Sequence, residues 1–154
     1  MEKSIQELRE LVADFSLRLS EMDDAEFSMK PLPHKWSKKE IVGHLIDSAQ
    51  TNLRRFICAQ YEATPSKIVY EQDFWVAANQ YQSRPGESII ALWKLINTQI
   101  ILVLASMPPD KYAAQSETNE LHTLEWLAED YVRHLKHHLE QILPGSFAHH
   151  SLRS

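Results

Sequence analysis

Two histidines near the end of the chain, His134 and His138, stand four residues apart in a segment of helical periodicity. On a helix this spacing places both imidazoles on one face, about one turn apart, so that both can bind one metal ion. Histidines four apart also occur on solvated helix surfaces, and His137 offers a competing ligand at a spacing of three. The pair alone therefore indicates half of a metal site, with His137 in reserve.

A third histidine, His44, lies in an earlier helical segment beside the apolar residues Ile41 and Leu45. A single inward-facing histidine is usually a hydrogen-bonded core residue. Helical bundles, however, build metal sites from side chains that facing helices direct into the core. We therefore predict one divalent ion bound by His44, His134 and His138. Three neutral imidazoles suit zinc, nickel, copper or iron, and they leave a coordination position for water or substrate.

Other chemistries lack the residues that they need. A zinc peptidase helix requires glutamate directly after the first histidine of such a pair, and Leu135 occupies that position. The Glu-x-x-His motif of diiron bundles is absent at these histidines. The single cysteine, Cys58, lies in an apolar helical segment, and no serine has the glycine-flanked pattern of a nucleophile. We interpret Cys58 as a core residue.

Three polar residues, Asp47, Asp130 and Gln141, stand about one helical turn from the predicted histidine ligands. Carboxylates and amides in such positions often fix the orientation of a ligating imidazole. Each of the three also has an ordinary interpretation as a solvated surface residue, and the sequence leaves both open.

A long connection between the second and third predicted helices contains Tyr70, Asp73 and Trp75. In a bundle with an open metal site, such a connection can form a lid or a pocket wall. The alternative is that Trp75 only anchors the connection to the core.

Apolar residues recurring every three or four positions predict four long helices, over about residues 4–21, 37–60, 87–107 and 123–143. Ser37 and Glu40 form a capping box at the start of the second helix, and Thr123 can cap the last one. A segment near residues 73–81 could form a short helix. Only three glycines and no Asn-Gly or Asp-Gly pair argue against β-hairpins. The predicted fold is all-α, a four-helix bundle in a single domain of residues 1–154, with a tail loosely ordered from about residue 145.

The amino-acid composition indicates which partners the protein can bind and in which cellular compartment it acts. A net charge of -5 offers no basic surface for nucleic acid. One cysteine cannot form an intrachain disulfide, which fits a reducing compartment. The first residues are too charged for a signal peptide, and the longest apolar run, near residues 100–105, is too short to span a bilayer. We expect a cytoplasmic protein that binds neither membrane nor nucleic acid.

Two sequence motifs stand at the predicted ligands. The first runs from a Trp-Ser-x-x-Glu helix start into His-Leu-x-Asp, through Trp36, Ser37, Glu40, His44, Leu45 and Asp47. The second is His-x-x-His-His at residues 134–138. Together they resemble the DinB-like family of damage-inducible metal-binding bundles, and the resemblance spans almost the whole chain. The resemblance implies an up-down-down-up bundle, often dimeric, in which His44, His134 and His138 bind zinc, nickel or a similar ion.

The same resemblance implies an enzyme of small molecules. Characterised relatives include thiol-dependent transferases and isomerases that use small thiols such as bacillithiol or mycothiol, and many members are described as metal-dependent hydrolases. The ion would lower the pKa of a bound water or thiol. The competing hypothesis is a bundle without catalysis, whose role is metal binding or dimerisation.

Overall fold

The structure, a computed structural model, describes residues 1–147. Four long helices and two short ones account for most of these residues, and a small β-hairpin precedes the last helix. In chain order the elements are α1 (Glu2–Ser20), α2 (Asp24–Ser28), α3 (Lys38–Cys58), α4 (Gln72–Ala78), a 3-10 turn (Tyr81–Ser83), α5 (Gly86–Ser106), a 3-10 turn (Pro109–Lys111), β1 (Gln115–Glu117), β2 (Leu121–Thr123) and α6 (Leu124–Ile142).

The four long helices confirm the four predicted from apolar periodicity, with ends that differ by at most a few residues. The capping box at the start of α3 is also present. The Ser37 hydroxyl oxygen accepts from the Glu40 N–H at 3.1 Å, and the Ser37 N–H donates to the Glu40 carboxylate at 3.2 Å. At α6 the Thr123 hydroxyl accepts from the Trp126 N–H at 3.1 Å. Local capping chemistry therefore sets where both of these helices begin.

Two segments predicted as loops contain regular structure. Helix α2 forms because the Asp23 carboxylate accepts from the Ala25 N–H at 3.0 Å. Strands β1 and β2 pair antiparallel across a three-residue turn, where the Thr118 N–H donates to the Glu120 carbonyl. The argument from missing Asn-Gly pairs was wrong here, because a three-residue turn does not need that dipeptide. Cys58, predicted as a core residue, is only partly buried.

The helices run in the predicted up-down-down-up order. The Met1 amino group pairs with Glu125 at the start of α6, so α1 and α6 are parallel. Lys39, at the start of α3, donates to a backbone carbonyl two residues before α5, so α3 and α5 are parallel. Phe56, near the end of α3, contacts Tyr131 in the first half of α6, so these two are antiparallel. The start of α3 therefore meets the end of α6.

The end of α6 continues onto α1. The Phe147 ring stacks on Phe15 with ring centroids 5.7 Å apart, and Arg18 donates to the Ser146 hydroxyl at 2.9 Å. A tail loosely ordered from about residue 145 was expected. Residues 145–147 make these contacts, and residues 148–154 lie outside the described part of the chain.

Helix α5 is the most apolar element of the described chain. By length and composition it is the one described helix that could cross a membrane. In the bundle it packs on α1 and α3, and it buries Trp93, Ile89, Ile100 and Leu104 almost completely. Only about a third of its most apolar stretch is buried, however, so α5 also presents an apolar outer side.

Gly43 permits a close contact between α3 and the turn after α4. A Cβ atom at this position would lie 2.1 Å from Cδ2 of Tyr81, whose side chain is fully buried. The Tyr81 hydroxyl donates to Asp47 at 2.7 Å. The absence of a side chain at Gly43 therefore lets the long connection pack directly on α3, at the residue before His44.

The methyl group added by Gly43→Ala would lie 2.1 Å from a buried aromatic ring and must displace it, which costs about 3 kcal/mol, at the upper end for overpacking. Alanine inside a helix normally gains about 1 kcal/mol over glycine, so we expect the free energy of unfolding to fall by about 2 kcal/mol. Urea denaturation measures the change. The control is Gln50→Ala, on an exposed position of the same helix, which should stay within about 0.5 kcal/mol of wild type. A Gly43→Ala protein as stable as wild type would contradict the contact.

Candidate metal centre

Three histidines from two helices converge where the start of α3 meets the end of α6. The Nε2 atoms of His44 and His134 are 3.4 Å apart, and those of His134 and His138 are 3.1 Å apart. One ring nitrogen from each of the three lies within 4.8 Å of the other two. The antiparallel crossing of α3 and α6 thus brings His44 next to His134, which lies ninety positions later in the sequence, and to its neighbour His138.

The spacing of these nitrogens fits one metal ion. Zinc binds imidazole nitrogen at about 2.0–2.1 Å in tetrahedral geometry, which separates two ligating nitrogens by about 3.3 Å. The two measured separations, 3.4 and 3.1 Å, lie on either side of this value. Three imidazoles are also a ligand set that zinc and nickel accept. The residues present therefore fit the predicted group.

Burial and mutual repulsion keep the cluster neutral. Burial, together with repulsion from His134 and His138, lowers the pKa of His44 to about 3. Burial likewise lowers the pKa of His134 to about 4, with the charge of His138 acting in the same direction. The pKa of His138 is also lowered, again mainly by burial. At neutral pH all three rings are uncharged, and each has a nitrogen lone pair for a metal ion.

Gln141 sets the proton position on His138. Its carbonyl oxygen lies 2.9 Å from Nδ1 of His138, and its amide nitrogen lies 3.3 Å from Nε2 of His137. A carbonyl oxygen only accepts hydrogen bonds, so Nδ1 of His138 carries the proton and Nε2 has the lone pair. That lone pair faces the cluster, as metal binding requires. His137, the reserve ligand, is held outside the cluster by the same amide.

The two carboxylates singled out beside the histidines lie in different surroundings. Asp47 is fully buried and accepts from the Tyr81 hydroxyl at 2.7 Å and the Asn79 amide at 3.1 Å. Burial raises the pKa of Asp47 to about 6. Asp130 is half exposed and pairs with Arg133 at 3.1 Å. Asp47 thus connects α3 to the long connection, whereas Asp130 stands on the open side of the cluster.

Aromatic rings form the walls of the site. The Trp36 ring centroid lies 5.1 Å from that of His44, and the Tyr70 ring lies 6.4 Å away on a nearly parallel plane. Trp75 contacts Tyr70 edge-on at 5.9 Å. The sequence pointed to three residues of the long connection. Tyr70 lines the cavity beside His44, and Trp75 packs against Tyr70. Asp73 borders the neighbouring groove instead.

Two cavities flank the histidine cluster. The first, of about 180 Å³, lies between α3, α6 and the long connection, and it is lined by His44, His134, Tyr70 and Asp130 among others. The second, of about 330 Å³, is lined by Trp36, whose ring packs near His44, and by Gln141, which contacts His138, but by none of the three histidines. Gln72 borders both. The cluster therefore opens into the first cavity, and the second lies behind residues that contact the cluster.

Three polar residues of α3 that sequence analysis did not single out also line the first cavity. Ser48, Asn52 and Arg55 follow His44 at steps of four, four and three, so all four lie along one face of the helix. Ser48 and Asn52 are buried and Arg55 is half buried. A polar stripe that continues the face of a predicted ligand was the signal that could have found them.

A sequence model of the DinB superfamily matches residues 6–142, nearly all of the described chain. The chain belongs to the DinB superfamily. All three converging histidines lie inside the matched region, so the resemblance drawn from the two motifs is confirmed.

Two proteins of known structure show how far the similarity extends. YfiT of Bacillus subtilis (strain 168), described as a probable metal-dependent hydrolase, is 24% identical over 144 residues, or 92% of this chain and 81% of YfiT. Its solved structure, a four-helix bundle of unusual topology, matches with a TM-score of 0.82 over 92% of this chain and 82% of that one. A mycothiol-dependent maleylpyruvate isomerase is 17% identical with a TM-score of 0.74, over 90% of this chain and 59% of the isomerase. At these identities the solved structures establish a shared fold.

The neutral cluster predicts that acid destabilises the metal-free protein. A histidine whose pKa is lower when folded takes up its proton preferentially in the unfolded chain, so stability is lost as pH falls below the ordinary value of 6.5. For His44 alone the loss between pH 7 and pH 5 is about 2 kcal/mol. The free energy of unfolding is measured with urea in the presence of a chelator at pH 7 and at pH 5. We expect it to fall between these two pH values by about 2 kcal/mol more in wild type than in His44→Gln.

The raised pKa of Asp47 acts in the opposite direction, because its protonation below about pH 6 favours the folded state. This contribution is common to both proteins and cancels in the comparison. Equal losses of stability in wild type and His44→Gln would show that His44 is not held neutral.

Proposed function

We propose that this DinB-superfamily protein is a metal-dependent enzyme that binds one zinc or nickel ion through His44, His134 and His138 and acts on a small molecule. The observation that carries the proposal is the convergence of three neutral imidazole nitrogens beside a cavity. No fourth histidine, cysteine or carboxylate joins this cluster among residues 1–147. A site with three protein ligands and access to a cavity is typical of catalytic rather than structural zinc.

The residues around the cluster have separable roles in this proposal. A bound ion would polarise a carbonyl oxygen or lower the pKa of a water or thiol. Gln141 holds the His138 ring in the tautomer that binds metal. Burial raises the pKa of Tyr70, so its hydroxyl stays protonated and can donate a hydrogen bond into the cavity. Asp130, on the opposite wall, is the carboxylate placed to accept a proton.

Hydrolysis is the reaction that the first cavity supports best. A volume of about 180 Å³ is below the range of about 300–1,000 Å³ common for ligand pockets. Such a space admits a small substrate with water as the second reactant. YfiT, the relative described as a probable metal-dependent hydrolase, aligns over nearly the whole chain.

Thiol-dependent transfer is the second candidate, and the second cavity favours it. That cavity, of about 330 Å³, is bordered by Trp36, which packs near His44, and by Gln141, which contacts His138, so a thiol cosubstrate bound there would lie next to the residues that surround the metal site. The fold is shared with an isomerase named as mycothiol-dependent.

Metal content tests the site directly. We expect about one ion per chain in tag-free protein purified with zinc or nickel, and the loss of that ion in His44→Ala and His138→Ala. His137→Ala is the matched control, because His137 is on the same helix but outside the cluster, and it should retain the ion. Inductively coupled plasma mass spectrometry gives the stoichiometry.

The same proteins separate the two reactions. A panel of small esters and amides, assayed with and without added thiols, should be turned over by wild type and His137→Ala but not by His44→Ala. Turnover without thiol supports hydrolysis, and turnover only with thiol supports transfer. An ion that is bound without any turnover would favour a module for metal binding. No ion in wild type would reject the proposal and leave a bundle that acts by binding or dimerisation.

We also propose that the protein is a homodimer formed through the outer side of α5. A stripe of uncharged, exposed residues runs along this helix at alternating steps of four and three: Ala91, Leu95, Thr98, Leu102 and Ala105. The order small, large, polar, large, small is symmetric about Thr98. Two antiparallel copies would therefore place Leu95 on Leu102 and Ala91 on Ala105, as a two-fold axis requires. Leu95 and Leu102 are 68% and 58% exposed without such a partner.

The dimer is tested by replacing one residue of the stripe. Wild type should have the mass of a dimer at micromolar concentration, and Leu95→Lys should be monomeric, because two lysines would then face an apolar surface near the axis. Size-exclusion chromatography with multi-angle light scattering measures the mass. Ile57→Lys, at an exposed apolar residue of α3, should stay dimeric. A monomeric wild type, or a dimeric Leu95→Lys, would reject this interface.

The domain organisation, the cellular compartment and the absence of some partners are also part of the proposal. We propose a single domain that acts in the cytoplasm without nucleic acid or membrane partners. The net charge of -5 and the lone cysteine support it. The apolar character of α5 is accounted for by its packing on α1 and α3 together with the proposed dimer.

A further inference from the structure

Arg55 is a positive charge in the wall of the small cavity beside the histidine cluster. It lies three helical turns after His44 on the same face of α3, and it lines the cavity together with Tyr70 and Asp130. The site as proposed assigns Arg55 no role. Its surroundings decide whether it is only a structural link or part of a binding site.

The Arg55 guanidinium is held in place from two sides. Its Nε and Nη2 atoms donate to the carbonyl of Ile68, and its Nη1 donates to the Asn52 side chain at 3.3 Å. Ile68 is itself fixed, because its N–H donates to the Glu117 carbonyl at 2.9 Å. The long connection and the hairpin thus fix Arg55 before any ligand arrives, which reduces the entropy cost of binding.

Arg55 has no carboxylate partner. Within residues 1–147 no Asp or Glu oxygen lies within 4.0 Å of its nitrogens. Asp130 lines the same cavity, but it pairs with Arg133 at 3.1 Å. The three bonds described above leave one N–H on Nη1 and one on Nη2. Burial lowers the pKa of the Arg55 guanidinium, and the charge of Asp130 in the same cavity wall raises it, but Asp130 makes no ion pair with Arg55. A half-buried guanidinium usually has an anionic partner in direct contact, and residues 1–147 place none within 4.0 Å of Arg55.

We propose that Arg55 binds a carboxylate group of the substrate, so that the enzyme acts on small molecules with a carboxylate at one end and the reacting group at the other. Two N–H groups on a planar guanidinium match the two oxygens of a carboxylate. Ser48, Asn52 and Tyr70 line the space between Arg55 and the histidines with neutral polar groups. This inference rests on the proposed metal-dependent function, because the metal site supplies the second point of attachment.

The size of the cavity limits the substrate. About 180 Å³ holds a short chain or one small ring, so the part of the substrate that lies inside this cavity is small. The expected class is therefore small acyl compounds with a free carboxylate.

Matched chelators can test this pocket without knowledge of the substrate. Succinic, glutaric and adipic monohydroxamates bind a metal through the hydroxamate and extend a carboxylate by two, three or four methylene groups. Each is compared with its carboxamide, in which the terminal carboxylate is replaced by a neutral group. We expect zinc-loaded wild type to bind at least one carboxylate form about tenfold more tightly than its carboxamide, measured by isothermal titration calorimetry.

The ratio between the two forms is the decisive quantity. In Arg55→Met the ratio should fall to about one. In Arg54→Met, the same change at the exposed neighbouring position, it should stay as in wild type. Loosening of the Ile68 contact would weaken both forms together and leave their ratio unchanged. A ratio near one in wild type, or an unchanged ratio in Arg55→Met, would overturn the assignment.

A second measurement does not depend on the metal. In metal-free protein, propionate should shift the Nε–H resonance of Arg55 in a nitrogen-proton correlation spectrum, and propionamide should not. If acetohydroxamate fails to bind the zinc-treated protein, the proposed metal function is rejected while this shift still decides the carboxylate pocket. No shift with propionate would reject the pocket whatever the metal result.

Discussion

The antiparallel packing of α3 against α6 is the constraint on which the site depends. It brings the start of one helix to the end of the other, and so it places three imidazole nitrogens in one small volume. Burial and mutual repulsion both favour the neutral rings of this cluster over positively charged imidazolium ions. The same two effects destabilise the folded protein in acid, and at neutral pH they keep three nitrogen lone pairs available for a metal ion.

The long connection between α3 and α5 completes the site because α3 is polar along one buried face. Asp47, Ser48 and Asn52 are almost fully buried, and such groups need hydrogen-bond partners. Tyr81 and Asn79 supply them for Oδ1 of Asp47, and the backbone of α3 supplies one for the Asn52 amide. The connection is therefore a wall of the cavity that is held at several points.

Helix α5 lies diagonally across the bundle from α6, since both pack on α1 and α3. An interface on the outer side of α5 would thus lie away from the cavity between α3 and α6 and leave it open. The buried link between the diagonal helices is polar. The Tyr131 hydroxyl donates to Asn97 at 2.6 Å beneath the cavity, which ties the floor of the site to the most apolar helix.

The amino-acid sequence by itself determined the four long helices, the caps at Ser37 and Thr123, and the three histidines as candidate ligands. These features follow from local rules, namely apolar periodicity, capping chemistry and the spacing of residues on one helix face. The partnership of Arg55 with Ile68, the close contact at Gly43, the hairpin and the two cavities were decided only by the tertiary structure. Each of these features depends on contacts between segments that are distant in sequence. The periodicity of one segment predicts its own secondary structure, but it does not indicate which distant segment will pack against it.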